Sequence, residues 1–379
     1  MKIIVNAISA KTGGIMTYTK NLMRSLAKRS VDVVFALPSE TNLEADVPVI
    51  HMPADRMGPV PRLLWEQTMW RRTVSSHKPD ILFSSANFGL LAPPVPQVLL
   101  VREGGLFDPY YLTNVAPSLY TKPIFHRIAR RKLIVASAQA SDVVMTPTQT
   151  MKDLLVSWAG GLEGRVEKNQ YGTLSDVFTP EGEQRGWNQD GVLKLLFVSA
   201  YYPHKQPGLV SEAVKLLNEA GFSCHLSVTM EMEQIAGTRG GAQDHFLLGK
   251  GIERGQVSML GHVPYDQLPD LYKENDLFVF PSLSETFGHP LAEAMSIGMP
   301  IMASDTPVHR EVCQDAAEYF SPLLPSDLAQ QIRELDANPS RRQQMGELGQ
   351  TYVKSNFSWE DHVDRLLDIF ERVIAARRR

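Results

Sequence analysis

Two glutamates, Glu285 and Glu293, bracket the stretch of this chain best equipped for chemistry, PSLSETFGHPLAEAMSIGMPIMASD at 281–305. The stretch reads as a loop over 281–289, a helix over 290–297 and a buried strand over 301–304. Pro290 suits the first helical position, where its missing N–H costs nothing. Gly298 stops the helix and Pro300 prevents its continuation. N–H groups at a helix start have no intrahelical partner, which makes this turn a ready site for a phosphate or a sugar hydroxyl. On spacing alone, Glu293 reads equally well as a complement to the helix dipole and Glu285 as a solvated loop residue. A carboxylate pair also admits a hydrolase reading, with Glu285 and Glu293 as acid and base across a substrate cleft.

Other chemistry-bearing residues fall where strands give way to loops. Lys205 lies in AYYPHKQPG (200–208), just after an apolar strand at 193–199. Gly13 and Gly14 close the turn SAKTGG between a strand at 2–7 and a helix at 15–28. That layout lets backbone amides approach a diphosphate, although no G-x-G-x-x-G dinucleotide fingerprint is present. Arg102 and Glu103 open the loop REGGLFDP (102–109) after a strand at 98–101, where a doubly wound sheet presents its ligands.

The elements that must position these residues alternate between short apolar runs and helical or loop segments. Runs at 31–37, 81–84, 98–101 and 143–146 belong to the first half, and runs at 193–199, 226–230, 258–260, 277–280 and 301–303 to the second. Such alternation implies parallel, doubly wound sheets. A polar, turn-rich tract at 168–190 reads as a linker between domains at 1–167 and 191–359. From His362 onward, Val363, Leu366, Leu367, Phe370, Val373 and Ile374 recur at helical spacing.

The chain has 379 residues and a formal net charge of −4, so nothing global points to nucleic acid. Its two cysteines, Cys224 and Cys313, are far apart and fit a reducing compartment. No leader or membrane-spanning segment is read, and a cytoplasmic protein is expected. The run KPIFHRIARRK (122–132) holds five Lys or Arg and no acid. A solvated helix face is its ordinary meaning. The sharper expectation is peripheral contact with the inner face of an anionic membrane, aided by Ile124, Phe125 and Ile128 and by Trp65 and Trp70.

The pattern E-x-F-G-x-x-x-x-E, here ETFGHPLAE at 285–293, is followed by a small-residue helix, Gly-x-Pro and an apolar strand ending in Ser-Asp. It resembles the E-x7-E signature of retaining GT-B glycosyltransferases, glycosyltransferase family 4, and the resemblance covers essentially the whole chain. It implies an α/β GT-B fold: two doubly wound Rossmann-like domains facing a cleft, with the last helix (360–379) crossing back to the N-terminal domain. A nucleoside-diphosphate sugar, UDP- or GDP-linked, is the expected donor, and a sugar or lipid-linked hydroxyl the expected acceptor. No cofactor and no metal are expected, and no Asp-x-Asp of the GT-A type is present.

The resemblance also assigns roles. Glu293 would accept hydrogen bonds from the ribose hydroxyls, and Glu285 would contact the donor sugar near its reacting carbon. Lys205 and the Gly13 and Gly14 amides would face the diphosphate. The loop around Val263 would hold the base through its backbone, which leaves no side-chain code for its identity. Amides of Phe287, Gly288, His289 and Leu291 would serve the sugar and phosphates. Two departures stand out. Arg102 and Glu103 occupy the place of a His-Asp pair that contacts the donor sugar, and Ala200 stands where an arginine would face the diphosphate. The loss of that arginine gives weight to a rival reading, a non-catalytic nucleotide-sugar-binding subunit.

Overall fold

The computed structural model describes every residue except 12, 42, 44–46, 116–120, 174–176, 183 and 379, and only the backbone of 55 and 121–124. The described chain forms two fully parallel sheets. The first contains β1 (Lys2–Asn6), β2 (Asp32–Pro38), β3 (Val49–Met52), β4 (Ile81–Ser84), β5 (Gln97–Leu100), β6 (Val143–Thr146) and β7 (Val166–Lys168), in the order β3-β2-β1-β4-β5-β6-β7. The second contains β8 (Leu193–Phe197), β9 (Cys224–Val228), β10 (Val257–Met259), β11 (Leu277–Phe280), β12 (Ile301–Ser304) and β13 (Glu318–Phe320), in the order β10-β9-β8-β11-β12-β13. Central strands such as β4, β5, β11 and β12 are buried throughout, as parallel strands covered on both faces must be.

In both sheets the strand order reverses beside the first strand, so β1 pairs with β4 and β8 with β11. Loops leaving the carboxyl ends of two such strands diverge to opposite faces and open a crevice between them. Two compact units result: 1–107, 122–172 and 359–379 form one, and 108–121 and 173–358 the other.

Five helices bear on the chemistry: α1 (Gly13–Ala27), α2 (Thr121–Gln139), α3 (Leu268–Lys273), α4 (His289–Ile297) and α5 (Trp359–Arg378). The C-terminal α5 belongs to the first unit. Its apolar stripe packs Phe370 against Phe83 of β4, ring centres 5.5 Å apart. His362 is fully buried against Tyr18 of α1, Nε2 to hydroxyl 3.1 Å. Arg372 and Arg377 add ion pairs to Glu167 and Asp142.

Three short strands, β3, β7 and β13, lie outside the runs read from the sequence. At three or four residues each, with polar members in VIHM, VEK and EYF, they carry too little apolar signal to stand out. The expectation for Trp65 and Trp70 is also corrected. Trp70 is fully buried in the cluster with Val74 and Leu82, and Trp65 packs against the same cluster. A π-helical turn over Glu66–Trp70 is the cause. Five residues along an α-helix are about 140° apart, whereas a wider π turn brings i and i+5 onto one face.

Candidate active site

The motif turn is built by two glycines. Gly288 adopts φ +86° and leads into α4, and a Cβ there would approach Leu291 Cδ1 to 3.0 Å. Gly298 closes the helix at φ +82°, its N–H donating to Met295 O at 3.0 Å. The helix begins at His289, one residue before Pro290. Leu291, expected to offer its amide to a ligand, instead donates it to Gly288 O at 3.0 Å. The tight turn that starts the helix consumes that N–H. Phe287 is buried, with its ring 5.1 Å from Phe357 and 5.2 Å from His289.

Glu285 lies in the loop after β11, and Lys205 in the loop after β8. Because β8 and β11 are neighbours at the strand-order reversal, residues eighty apart in sequence meet in an ion pair, Lys205 Nζ to Glu285 Oε1. Both side chains are nearly enclosed, 10% and 14% exposed. Leu283 N–H donates to His204 O at 2.8 Å and ties the two loops together. Burial by itself would raise the Glu285 pKa. The adjacent Lys205 charge outweighs it, aided by His204 and a Ser282 hydrogen bond, and holds the carboxyl at about 2. His204 goes the other way. Burial, reinforced by Lys205, lowers it to about 4, so it is neutral at neutral pH.

Glu293 sits at the fifth position of α4 and is buried. Its carboxylate meets two phenols, Tyr272 OH at 3.1 Å from Oε2 and Tyr265 OH at 3.2 Å from Oε1. Tyr272 extends from α3, and Tyr265 from the loop that contains Val263. Burial without a cationic partner pushes the Glu293 pKa up to about 7, against the opposing pull of the two phenol hydrogen bonds. Tyr272 OH also lies 3.3 Å from Pro290 O. One hydroxyl proton cannot serve both acceptors, so it goes to the carboxylate when Glu293 is charged and is free for Pro290 when Glu293 carries its own proton.

The β8 loop does not replace the arginine absent at 200. Ala200 is exposed, and Tyr201 is buried with its hydroxyl donating to Asp244 Oδ2 at 2.8 Å. Tyr202 stacks on His204 at 5.6 Å. Lys205 is therefore the cation that this loop brings to Glu285. A buried histidine, His309, completes the surroundings beneath the turn. Its Nδ1 lies 2.8 Å from Ser304 O, and burial lowers its pKa to about 4.

In the first unit Gly13 (φ +66°) and Gly14 open α1 and are exposed. Arg102 comes up beside Gly14, its Nη2 3.4 Å from where a Cβ would stand. Glu103 turns away to a bidentate pair with Arg130, Nη2 to Oε2 2.6 Å and Nε to Oε1 2.8 Å, and accepts from Asn87 at 3.3 Å. Arg130 also lies over Phe88, and Arg131 over Trp158 at 3.7 Å. Two cations of the 122–132 run thus serve their own unit. Phe125 is 75% exposed and Ile128 is exposed, while Ile124 lies outside the described side chains.

In the sequence His204 is a polar candidate beside Lys205 that restores no permanent charge, whereas the sequence reading missed the roles of His309, Tyr265 and Tyr272. Tyr265 and Tyr272 lie seven residues apart and reach the same carboxylate, but nothing in sequence alone pairs them with Glu293. Among the described residues, no three His, Cys, Asp or Glu side chains converge as metal ligands.

Two family models match the chain: Glycosyltransferase Family 4 over residues 12–167, and Glycosyl transferases group 1 over residues 183–352. O-antigen chain mannosyltransferase B of Escherichia coli is 32% identical over 139 residues, which is 36% of this chain and 36% of that protein. Sucrose-phosphate synthase from Thermosynechococcus elongatus superposes with a TM-score of 0.79 at 16% identity, covering 99% of this chain and 100% of the other. Anabaena HepE in complex with UDP-glucose superposes at 0.73 and 15% identity, covering 98% and 100%. Those structural likenesses speak to the fold. With the two family models spanning most of its length and two parallel Rossmann-like sheets beneath them, the chain belongs to glycosyltransferase family 4 and has the GT-B fold.

Proposed function

We propose that this glycosyltransferase moves a sugar, with retention and without a metal ion, from a nucleoside diphosphate to an acceptor hydroxyl in surface-glycan biosynthesis. The observation that carries the reading is the motif turn, which ends in a cation-paired Glu285 and a phenol-capped Glu293. In the transfer, the bond from the anomeric carbon to the phosphate oxygen breaks and its electron pair stays on the diphosphate. The acceptor oxygen bonds to the same face of the carbon, and its proton passes to the departing phosphate oxygen. Lys205 and the Gly288 N–H at the start of α4 meet the developing negative charge, and such preorganised donors supply the largest catalytic contribution in most enzymes. Glu285, ionised at all physiological pH values, offsets positive charge on the sugar ring. Glu293 accepts from the ribose diol, beside the backbone of Val263 that holds the base. The UDP-glucose complex of the structurally similar HepE supports a UDP-sugar as the first donor to try.

A thermal-shift panel of nucleoside diphosphates and their sugars, on the wild type and on Glu293→Ala, tests the donor site. One nucleotide class at a hundred times its Kd stabilises the wild type by about 2.7 kcal/mol, and the variant loses most of that. Product anomers read by NMR then test retention, and transfer undiminished by EDTA tests metal independence. Binding without transfer to any acceptor supports the partner-subunit reading, and no nucleotide shift at all overturns the donor site.

The acceptor is proposed to be lipid-linked, with α2 resting on an anionic membrane through Phe125 and Ile128. No helix among the described residues is long and apolar enough to cross one. Because Arg130 and Arg131 are engaged within the unit, Phe125→Ser and Lys132→Glu are the informative variants. Both are expected to reduce sedimentation with phosphatidylglycerol vesicles, and equal sedimentation of wild type and variants overturns the contact.

A further inference from the structure

Beneath the motif turn lies a histidine that the proposed transfer does not use. His309 is fully buried on the short helix Pro307–Cys313, which follows β12. Its ring stands edge-on to Phe280 at the end of β11, centres 5.4 Å apart. Lys205 Nζ lies over that same Phe280 ring, 4.9 Å from its centre. Nδ1 of His309 is 2.8 Å from Ser304 O and 3.1 Å from Ser304 Oγ. A carbonyl only accepts, so Nδ1 carries the proton of the neutral ring and donates it, and Nε2 keeps a bare lone pair. Nε2 is buried and meets no donor among the described residues.

From Ser304 the contacts run on to Glu285. Ser304 Oγ donates to Ser282 O, which joins the end of β12 to the loop after β11. The Ser282 hydroxyl serves the Glu285 carboxylate and lies 3.3 Å from Ser284 O. His309, Ser304 and Ser282 are all fully buried, so no water competes for these bonds and each fixes the next. A buried acceptor left empty is costly, and a hydrocarbon ring of similar size would fill the same space without that cost. Packing therefore does not account for an imidazole at 309, whereas the Nδ1 donor does. We infer that His309 is a positioning residue for the transfer. Through Ser304 and Ser282 it clamps the loop that carries Glu285, and so sets the angle at which that carboxylate meets Lys205 and the donor sugar. This rests on the role given to Glu285 above.

Three replacements in the full chain separate the bond from the bulk. His309→Asn places an amide nitrogen where Nδ1 stands, His309→Gln places it nearer Nε2, and His309→Phe fills the space without a donor. Release of UDP from UDP-glucose and of GDP from GDP-mannose gives kcat and KM, and calorimetry gives the Kd of each nucleotide. The phenylalanine and glutamine variants are expected to lose at least about tenfold in kcat, the scale of one lost buried hydrogen bond. Their nucleotide Kd is expected to stay within about twofold of the wild type, and the asparagine variant to recover most of the lost kcat. Wild-type kcat in His309→Phe overturns the inference. So does an equal fall in the asparagine and phenylalanine variants, or a loss shared by kcat and nucleotide affinity, either of which marks a merely structural role. If His309→Phe does not fold, glutamine against asparagine makes the same comparison. Denaturant titration of each His309 variant with and without Glu285→Gln needs no substrate. The clamp predicts a smaller destabilisation by the His309 change when Glu285 is already replaced, and equal destabilisation in both backgrounds overturns it. A wild type that turns over neither donor counts against the donor reading, and the stability cycle then decides the clamp by itself.

Discussion

Glu285 and Glu293 stand at the two ends of one turn in the second unit, Glu285 nearly enclosed and Glu293 buried, and their surroundings are opposite in kind. Glu285 faces a cation and Glu293 faces two neutral phenols. Burial pushes both carboxyls up, but Lys205 brings Glu285 back down to about 2, while hydrogen bonds alone leave Glu293 at about 7. A full charge nearby outweighs desolvation where two hydroxyl dipoles do not. Residues whose surroundings drive their proton affinities apart divide the labour of a site. Here one carboxylate is permanently charged, and the other gains or loses its proton near neutrality.

The strongest way to break this contrast is to remove the cation. Lys205→Met strands the Glu285 carboxylate, and denaturant titration at pH 7.5 is expected to show a loss of about 3–5 kcal/mol. The double variant Lys205→Met with Glu285→Gln is expected to recover most of that stability and none of the transfer activity. If the single variant loses less than the double, the pair is not what holds the β8 and β11 loops together.

The next effect is a pH dependence with a definite sign. The folded pKa of Glu293 lies above the carboxylate value of 4.5, so its stabilising contribution is complete below about 4.5 and fades as pH rises through about 7. The span corresponds to about 3 kcal/mol. Melting temperature is expected to fall between pH 5 and 8 in the wild type, and less steeply in Glu293→Gln. Glu285 has the reverse sign: its contribution is present above about 4.5 and lost as pH falls towards 2. Glu285→Gln lacks that contribution at every pH, so its acid unfolding is expected to begin at a higher pH than that of the wild type, with a shallower loss of stability between about 4.5 and 2.

The smallest changes sharpen the phenol side. Tyr272→Phe is expected to cost about 1 kcal/mol at pH 8, where Glu293 is charged, and less at pH 5. It also moves the Glu293 titration upward, which the midpoint of the pH–stability curve will read. Tyr265→Phe is expected to act in the same direction with a smaller stability loss, since Tyr265 is only half-buried. A pH-independent loss in both variants would assign the phenols to packing alone.

Much of this molecule is legible along the chain because the physics involved is local. Apolar runs of four or five residues between helical segments announce parallel strands, and Gly298 followed by Pro300 announces the end of α4. The E-x7-E spacing marks the turn on which Glu285 and Glu293 lie. Strands as short and mixed as VEK and EYF give no such signal, and the π turn that buries Trp70 shifts the helical phase without an obvious breaker.

Tertiary structure alone decided the partners. Lys205 meets Glu285 because strand order places β8 beside β11, and Tyr272 meets Glu293 across twenty-one residues. Arg130 reaches back to Glu103 across twenty-seven residues. Sequence determined which residues sit at loop mouths, since periodicity and turn chemistry act over a few residues. Charge state and role depend on what stands within a few ångströms in space, and that distance is set by the fold.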